Sequence, residues 1–163
     1  PLYERALTIQ ETTLGRQHPN VAGSLNNLSE LHRLRGDYDT ALPLNAQALS
    51  IWQAVLGPDH PDVATSLNNL AELFRLIGDS ESALPLHERA LAIREEALGS
   101  EHADVAASLN NLASVHQDLG NYAQAISLYE RAFIVAQNAV GTDHPDVVTI
   151  GSNLAELRQG DSL

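Results

Sequence analysis

Two residue types recur in strict register and carry the candidate chemistry of this chain. His18, His60, His102 and His144 lie 42 residues apart, and so do the pairs Asn26-Asn27, Asn68-Asn69 and Asn110-Asn111, continued by Ser152-Asn153. Four imidazoles suggest a metal centre, and stacked carboxamides suggest a surface that hydrogen-bonds a polypeptide backbone. The metal reading fails on distance. Equivalent positions in stacked units are separated by about 10 Å per helix, whereas zinc holds each ligand at about 2.1 Å. Each histidine is therefore expected to close the turn before a helix, and no metal or cofactor is expected. The amides pass the same test. A carboxamide both donates and accepts, so a ladder with one rung per unit can pair with the N–H and C=O groups of an extended peptide whatever its side chains. The competing use is internal: the amides bond to neighbouring helices and fix their packing. The two uses are compatible.

The elements that position these residues follow from the sentence in which each histidine stands: Leu14-Gly15-Arg16-Gln17-His18-Pro19, Leu56-Gly57-Pro58-Asp59-His60-Pro61, Leu98-Gly99-Ser100-Glu101-His102-Ala103 and Val140-Gly141-Thr142-Asp143-His144-Pro145. A repeated unit that cannot bury its own apolar face must stack on its neighbours. Within one unit, Pro61 suits the first helical position and Asp62 places a negative charge in the first turn. Val63, Leu67, Leu70, Ala71 and Phe74 recur at helical spacing, and Gly78 supplies a left-handed stop. Asp79 is predicted to cap a second helix carrying Ala83, Leu84, Ala90, Leu91 and Ile93, which ends at Leu98-Gly99. Gly36-Asp37 and Gly120-Asn121 repeat that junction, and Asn121 with Gln124 has the spacing of a capping box.

Small residues occupy the registers where paired helices press closest: Ala41, Ala83 and Ala125; Ala48, Ala90 and Ala132; Ala71, Ala113 and Ala155. Leu28, Leu70, Leu112 and Leu154 form the large apolar ladder. His32 and His116 stand in the register of Phe74 and are expected to replace an aromatic between helices. Pro43 and Pro85 fall inside the second helix, where an interior proline costs about 3 kcal/mol in isolation, so stacking must compensate or the helix must bend. Ser127 takes that position in the third unit, which predicts a straighter helix. On the helical wheel Leu67, Leu70 and Phe74 share one side, and Thr65, Asn68, Asn69, Glu72 and Arg75 the other.

The leucine-then-small pair of the first helix and the small residues of the second resemble the tetratricopeptide repeat, whose usual unit is about 34 residues. The longer unit here, with Leu-Gly-x-x-His-Pro-Asp-Val-Ala, Ser-Leu-Asn-Asn-Leu-Ala and Leu-Pro-Leu-x-x-Arg-Ala-Leu, is similar to the kinesin light chain type. The resemblance implies an all-α, right-handed superhelical solenoid of antiparallel helix pairs, with the amide-bearing side of each first helix lining a concave groove. It also implies that asparagines there hold extended peptides. The expected organisation is a single solenoid over 1–163: residues 1–15 as the second helix of a truncated unit, complete units at 16–57, 58–99 and 100–141, and a partial unit or cap at 142–163.

The candidate peptide-binding groove accordingly comprises Asn26, Asn27, Glu30, Arg33, Asn68, Asn69, Glu72, Arg75, Asn110, Asn111, Ser114, Gln117, Asn153 and Glu156. Glu30 with Arg33 and Glu72 with Arg75 are spaced to neutralise each other as exposed pairs. Toward a ligand, such alternating sign favours a mixed or partly basic peptide over acidic, tryptophan-containing cargo motifs.

Composition excludes other classes. The chain carries nine basic and 21 acidic residues, a formal charge of −12, and every basic residue is an arginine. Such a chain repels phosphate backbones and anionic lipid, so neither nucleic acid nor membrane is an expected partner. There is no cysteine, hence no disulfide, thiolate metal site or cysteine nucleophile. No apolar run approaches the roughly 20 residues of a membrane span and no signal segment is evident, which makes the cytoplasm the expected compartment. Phosphate-loop, His-Glu-x-x-His and serine-elbow motifs are absent, and the chain is expected not to be an enzyme. Asn27-Leu28-Ser29 matches a glycosylation sequon but lies on a helix facing the groove.

Pro1 opens in mid-unit, so the chain reads as a piece of a longer protein. The apolar face of its first helix then awaits either an upstream unit or self-association with a second copy. At the other end Gly160-Asp161 arrives two residues earlier than Gly78-Asp79 does in its unit, predicting a shortened last helix. Gly151 replaces the leucine register of Leu25, Leu67 and Leu109, as in a decaying terminal cap. The expected function is a non-catalytic protein-interaction module that binds a protein or peptide ligand. The alternative is a sensor, regulatory or oligomerisation arm of a larger multidomain protein, such as a signalling NTPase or caspase-like protease.

Overall fold

A computed structural model of the chain describes residues 2–160. The described residues form eight helices: α1 (Leu2–Leu14), α2 (Pro19–Leu34), α3 (Tyr38–Leu56), α4 (Pro61–Leu76), α5 (Ser80–Leu98), α6 (Ala103–Asp118), α7 (Tyr122–Val140) and α8 (Pro145–Gly160). Consecutive helices pack on one another, most extensively within the pairs α2/α3, α4/α5 and α6/α7, and α2, α4 and α6 also touch in series. The apolar core runs through these layers, from Val21, Leu25, Ile51 and Trp52 at one end to Tyr129, Val135, Val147 and Ile150 at the other.

Local chemistry sets the helix starts. The four repeated histidines each cap a first-type helix: Nδ1 accepts from the backbone N–H two residues on, at 3.1 Å from Asn20, 3.2 Å from Asp62, 3.1 Å from Asp104 and 3.2 Å from Asp146. One orphan donor of each helix is thus satisfied by an imidazole. The second helices start on Asp37 and Asp79, whose carboxylates accept from Thr40 and Ser82 at 3.3 and 3.1 Å. The hydrogen bond with His32 and then that from Thr40 hold the Asp37 carboxyl below the usual range, and the bonds from Ser82 do the same for Asp79. Asn121 departs from the expected capping box. It stands at the N-cap of α7 but makes no side-chain cap bond, and its Nδ2 instead lies 3.5 Å from His116 Nδ1.

His32 behaves likewise, its Nδ1 lying 2.7 Å from Asp37 Oδ2. Both imidazoles are half-buried and reach across to the cap residue of the next helix. Pro43 and Pro85 face solvent within unbroken helices, and α3, α5 and α7 are all 19 residues long. Packing of the opposite face holds these helices through the missing backbone bond.

The alanine registers close the stack. Ala41, Ala48, Ala71, Ala83, Ala90, Ala113, Ala125 and Ala132 are fully buried, whereas Ala155 is exposed. The leucine ladder Leu28, Leu70, Leu112 and Leu154 is buried throughout. α8 is not shortened: it has the 16 residues of α2, α4 and α6, and Gly160 falls within it. Asp161, part of the expected stop, lies outside the described residues.

Gly78 and Gly23 provide an opposed pair of tests. Gly78 has φ +86°, and a Cβ at either glycine would meet nothing within 4 Å. Gly78→Ala therefore reports conformational strain alone and is expected to lower stability by about 1 kcal/mol. Gly23 lies inside α2 with an ordinary helical backbone, so Gly23→Ala is expected to raise stability by up to about 1 kcal/mol. Urea unfolding midpoints of the two variants should move in opposite directions.

Candidate functional site

The asparagine pairs divide between two environments. In the first two pairs the first member turns toward the next helix. Asn68 is buried; its Oδ1 lies 2.7 Å from His87 Nδ1 and its Nδ2 donates to Ser108 Oγ at 3.2 Å. Asn26 Oδ1 accepts from Asn45 Nδ2 at 3.2 Å, and Asn45 Oδ1 accepts from Ser66 Oγ at 3.2 Å. These bonds run from one first-type helix through its second helix to the next unit, so they fix how units stack. They are the internal use of the amides, and buried groups satisfied in this way are costly to unpair.

The second members lie toward solvent, and two of them reach back along the stack. Asn69 Nδ2 donates to Asn26 Oδ1 at 2.9 Å, and Asn153 Nδ2 donates to Asn110 Oδ1 at 3.1 Å. Asn111 Oδ1 accepts from Asn110 Nδ2 at 3.4 Å, and Asn27 is exposed. Asn69 Oδ1 and Asn111 Nδ2 have no intramolecular partner among the described residues, so each amide keeps one free end.

A cleft of about 420 Å³ opens across α2, α4 and α6. Its walls are Glu30 and Arg33, then Asn68, Asn69, Glu72 and Arg75, then Asn110, Asn111 and Ser114. Every one of these was singled out by sequence register, and Asn68 forms the buried floor. The other candidates lie outside the cleft. Asn26 and Asn153 serve as amide partners of its lining residues, Gln117 Oε1 accepts from Tyr129 OH at 3.2 Å, and Asn27 and Glu156 are exposed.

The charges within the cleft are already paired. Arg33 grips Glu30 through two nitrogens at 2.7 and 2.6 Å, and Arg75 grips Glu72 at 2.8 and 2.9 Å while also reaching Asp118 at 3.2 Å. The hydrogen bond that each arginine donates to its glutamate raises the affinity of that arginine for the proton, opposed in part by burial. Two carboxylates against two guanidiniums leave these four side chains neutral in sum. The cleft is polar, balanced in charge and lined at its centre by amides.

Two tetratricopeptide-repeat models match the sequence, one over residues 1–51 and 21–96 and the other over 105–146. The chain belongs to the tetratricopeptide repeat family. Among solved structures, this tetratricopeptide repeat chain is similar to nearly identical TPR-like repeats assigned to a kinesin light chain of Podosopora anserina. The identity is 28% and the TM-score 0.81, over 99% of this chain and 76% of that one. A Q17M form of the same repeats gives 27% and 0.82, with the same coverage. BtubC (BKLC) from P. vanneervenii gives 28% and 0.87, over 99% of this chain and 64% of that one. The repeats are thus kinesin light chain-like. No curated protein matches the sequence. A chain of this family is a protein-interaction module. Among its described residues no helix is long and apolar enough to cross a membrane.

One register of this tetratricopeptide repeat chain escaped sequence reasoning. Asn45, His87 and Tyr129 occupy one position of the second helices and are all buried. Tyr129 OH lies 2.9 Å from Ser114 Oγ, so in all three units this position ties the second helix to the amide-bearing side of the first. The signal was present in the spacing. Each residue lies four after one buried alanine register and three before the other, which puts it on the same helix face. Polar residues on an apolar face mark a buried hydrogen-bonding site.

Proposed function

We propose that this chain binds an extended peptide segment without catalysing a reaction, and that the cleft across α2, α4 and α6 is where the peptide lies. The observation that carries the reading is the composition of that cleft: amides at its centre, of which Asn69 and Asn111 each keep one uncommitted end, flanked by arginine–glutamate pairs that cancel. A surface of this kind offers donors and acceptors to a backbone and little net charge to a side chain. The ligand class that fits is a peptide of mixed or partly basic sequence. Recognition rests on Asn69 and Asn111, with Asn27 and Asn153 extending the ladder at either end.

Selection from a displayed library of random decapeptides, followed by titration of the selected peptides, tests this. The quadruple variant with Asn→Ala at 27, 69, 111 and 153 is expected to lose binding. It should also lose about 1 kcal/mol of stability for each internal bond removed from Asn26 and Asn110, while keeping its helical circular dichroism. No selectable peptide, or undiminished affinity in the folded variant, would overturn the proposal.

A second reading draws on α1, where Leu2, Tyr3 and Ile9 are exposed. That apolar face supports association with another repeat or a second copy, as in a regulatory or oligomerisation arm. A concentration-dependent mass in light scattering, abolished by Leu2→Ser with Ile9→Ser, is its expected signature.

A further inference from the structure

We infer that the junction of α6, α7 and α8 is an anchor site for a single apolar side chain of a ligand peptide. The argument rests on one register of the second helices. Gln10, Trp52, Arg94 and Ala136 are spaced 42 residues apart, and each lies at the junction between its own helix pair and the next first-type helix. At the first three a longer side chain reaches the next first-type helix or the core beside it. Gln10 Oε1 accepts from Ser24 Oγ at 2.5 Å. Trp52 is only 7% exposed and sits in the core. Arg94 spans the next junction, donating to Ser108 Oγ at 2.8 Å and Asp104 O at 3.2 Å and lying 3.5 Å from Thr65 Oγ1.

At the fourth junction the residue is Ala136, and a cavity of about 210 Å³ opens in its place. The partners change in the same sense. Thr65 and Ser108, which meet Arg94, correspond by 42 residues to Ala107 and Ile150, and both line this cavity. A side chain long enough to fill the space and the two hydroxyls that would have met it are therefore absent together, while Asp146, the counterpart of Asp104, stays at the rim. An apolar hollow of this size accepts an alkyl or phenyl side chain, and burying one stabilises a complex in proportion to the apolar area removed from water.

Two features fix the kind of occupant. Asn110 and Asn111 line both this cavity and the amide cleft, so a backbone bonded to those amides is positioned to drop a side chain into the hollow. Asp146 stands at the rim with its side chain 72% exposed, and on a chain of −12 formal charge it favours a basic residue beside the anchor. The class is a peptide bearing leucine, isoleucine or phenylalanine next to lysine or arginine. What the anchor is attached to rests on the peptide reading of the cleft; the hollow itself does not.

The test titrates N-acetyl-leucinamide and N-acetyl-phenylalaninamide, with N-acetyl-glycinamide as control, into ¹⁵N,¹³C-labelled protein observed by NMR. Saturable shifts are expected at the side-chain amides of Asn110 and Asn111 and the methyls of Ala107 and Ile150, for the two apolar probes and not for glycinamide. Ala136→Trp introduces the residue type of the second junction and is expected to weaken both by at least about tenfold, the scale set by one buried side chain. Ala107→Leu fills the hollow from the opposite wall and serves where Ala136→Trp does not fold. Failure to saturate, equal shifts with glycinamide, or unchanged affinity in a folded filled variant would overturn the site. Fragment binding here combined with no library-selected peptide in the cleft would overturn the cleft reading alone.

Discussion

Acidification from pH 7 to pH 4 is expected to cost the fold about 3 kcal/mol through His87 alone. This side chain is fully buried in α5, and burial pushes its pKa down from the usual 6.5 to about 4; Arg75 and Arg94 reinforce the shift and Glu72 opposes it. Between those two values the unfolded chain binds a proton that the folded chain does not. The stabilising difference is thus fully present above about 6.5 and is lost as the pH falls toward 4. The hydrogen bond explains why the ring stays neutral. Asn68 Nδ2 donates to Ser108, so Asn68 Oδ1 must accept from His87 Nδ1–H, and Nε2 is left as an acceptor with no partner among the described residues. A proton arriving at Nε2 would create a charge with nothing to pair it. His87→Asn, the residue of the preceding unit at this register, removes the titration. Urea unfolding across this pH range should show a shallower loss of stability for the variant than for the native chain. Parallel slopes would remove His87 as the cause, since Asp37 and Asp79, held below the ordinary 3.8, lose their contribution only as the pH falls below that value, and do so in both proteins.

Replacing Gly151 by leucine, the residue of the other three units, is expected to destabilise the protein, and replacing Phe133 by leucine at the same time is expected to restore it. A Cβ built on Gly151 would lie 3.0 Å from Phe133 Cε2. Phe133 itself stands in the register of Leu7, Leu49 and Leu91. The fourth junction has thus exchanged leucine against leucine for phenylalanine against glycine, keeping the space filled. Leucine at 151 gains helix propensity of up to about 1 kcal/mol over glycine, but overpacking against the ring costs about 1–3 kcal/mol, so the single change loses. Phe133→Leu alone opens a gap and also loses. The double variant is expected to be at least as stable as the native chain, with a coupling energy of about 1–3 kcal/mol in a double-mutant cycle. Additive losses would mean that the two positions do not compensate. The glycine therefore reads as one half of a packing exchange, an account that the terminal-cap expectation lacked.

The helices and their stacking were legible in the sequence because they depend on local rules applied four times. Pro61 after His60, Asp79 after Gly78 and alanines at Ala48, Ala90 and Ala132 each state a helix start, a stop or a close approach within a few residues of themselves, and repetition at 42 residues removed the ambiguity of any one instance. The same periodicity identified every residue that lines the amide cleft. Tertiary structure alone decided how each amide is spent. Asn68 and Asn69 are adjacent in sequence and differ by one step of about 100° around the helix; that step separates a buried partner of His87 from a half-buried residue at the cleft. Which side of the step is buried depends on the helix that arrives from the next unit. It also took the assembled junction to show that Ala136 leaves a hollow while Gly151 does not, because a small residue creates space only where its neighbours across the interface, Ile150 in one case and Phe133 in the other, fail or manage to fill it. The sequence determines which positions face a neighbour, and the volume left between neighbours is a property of both together.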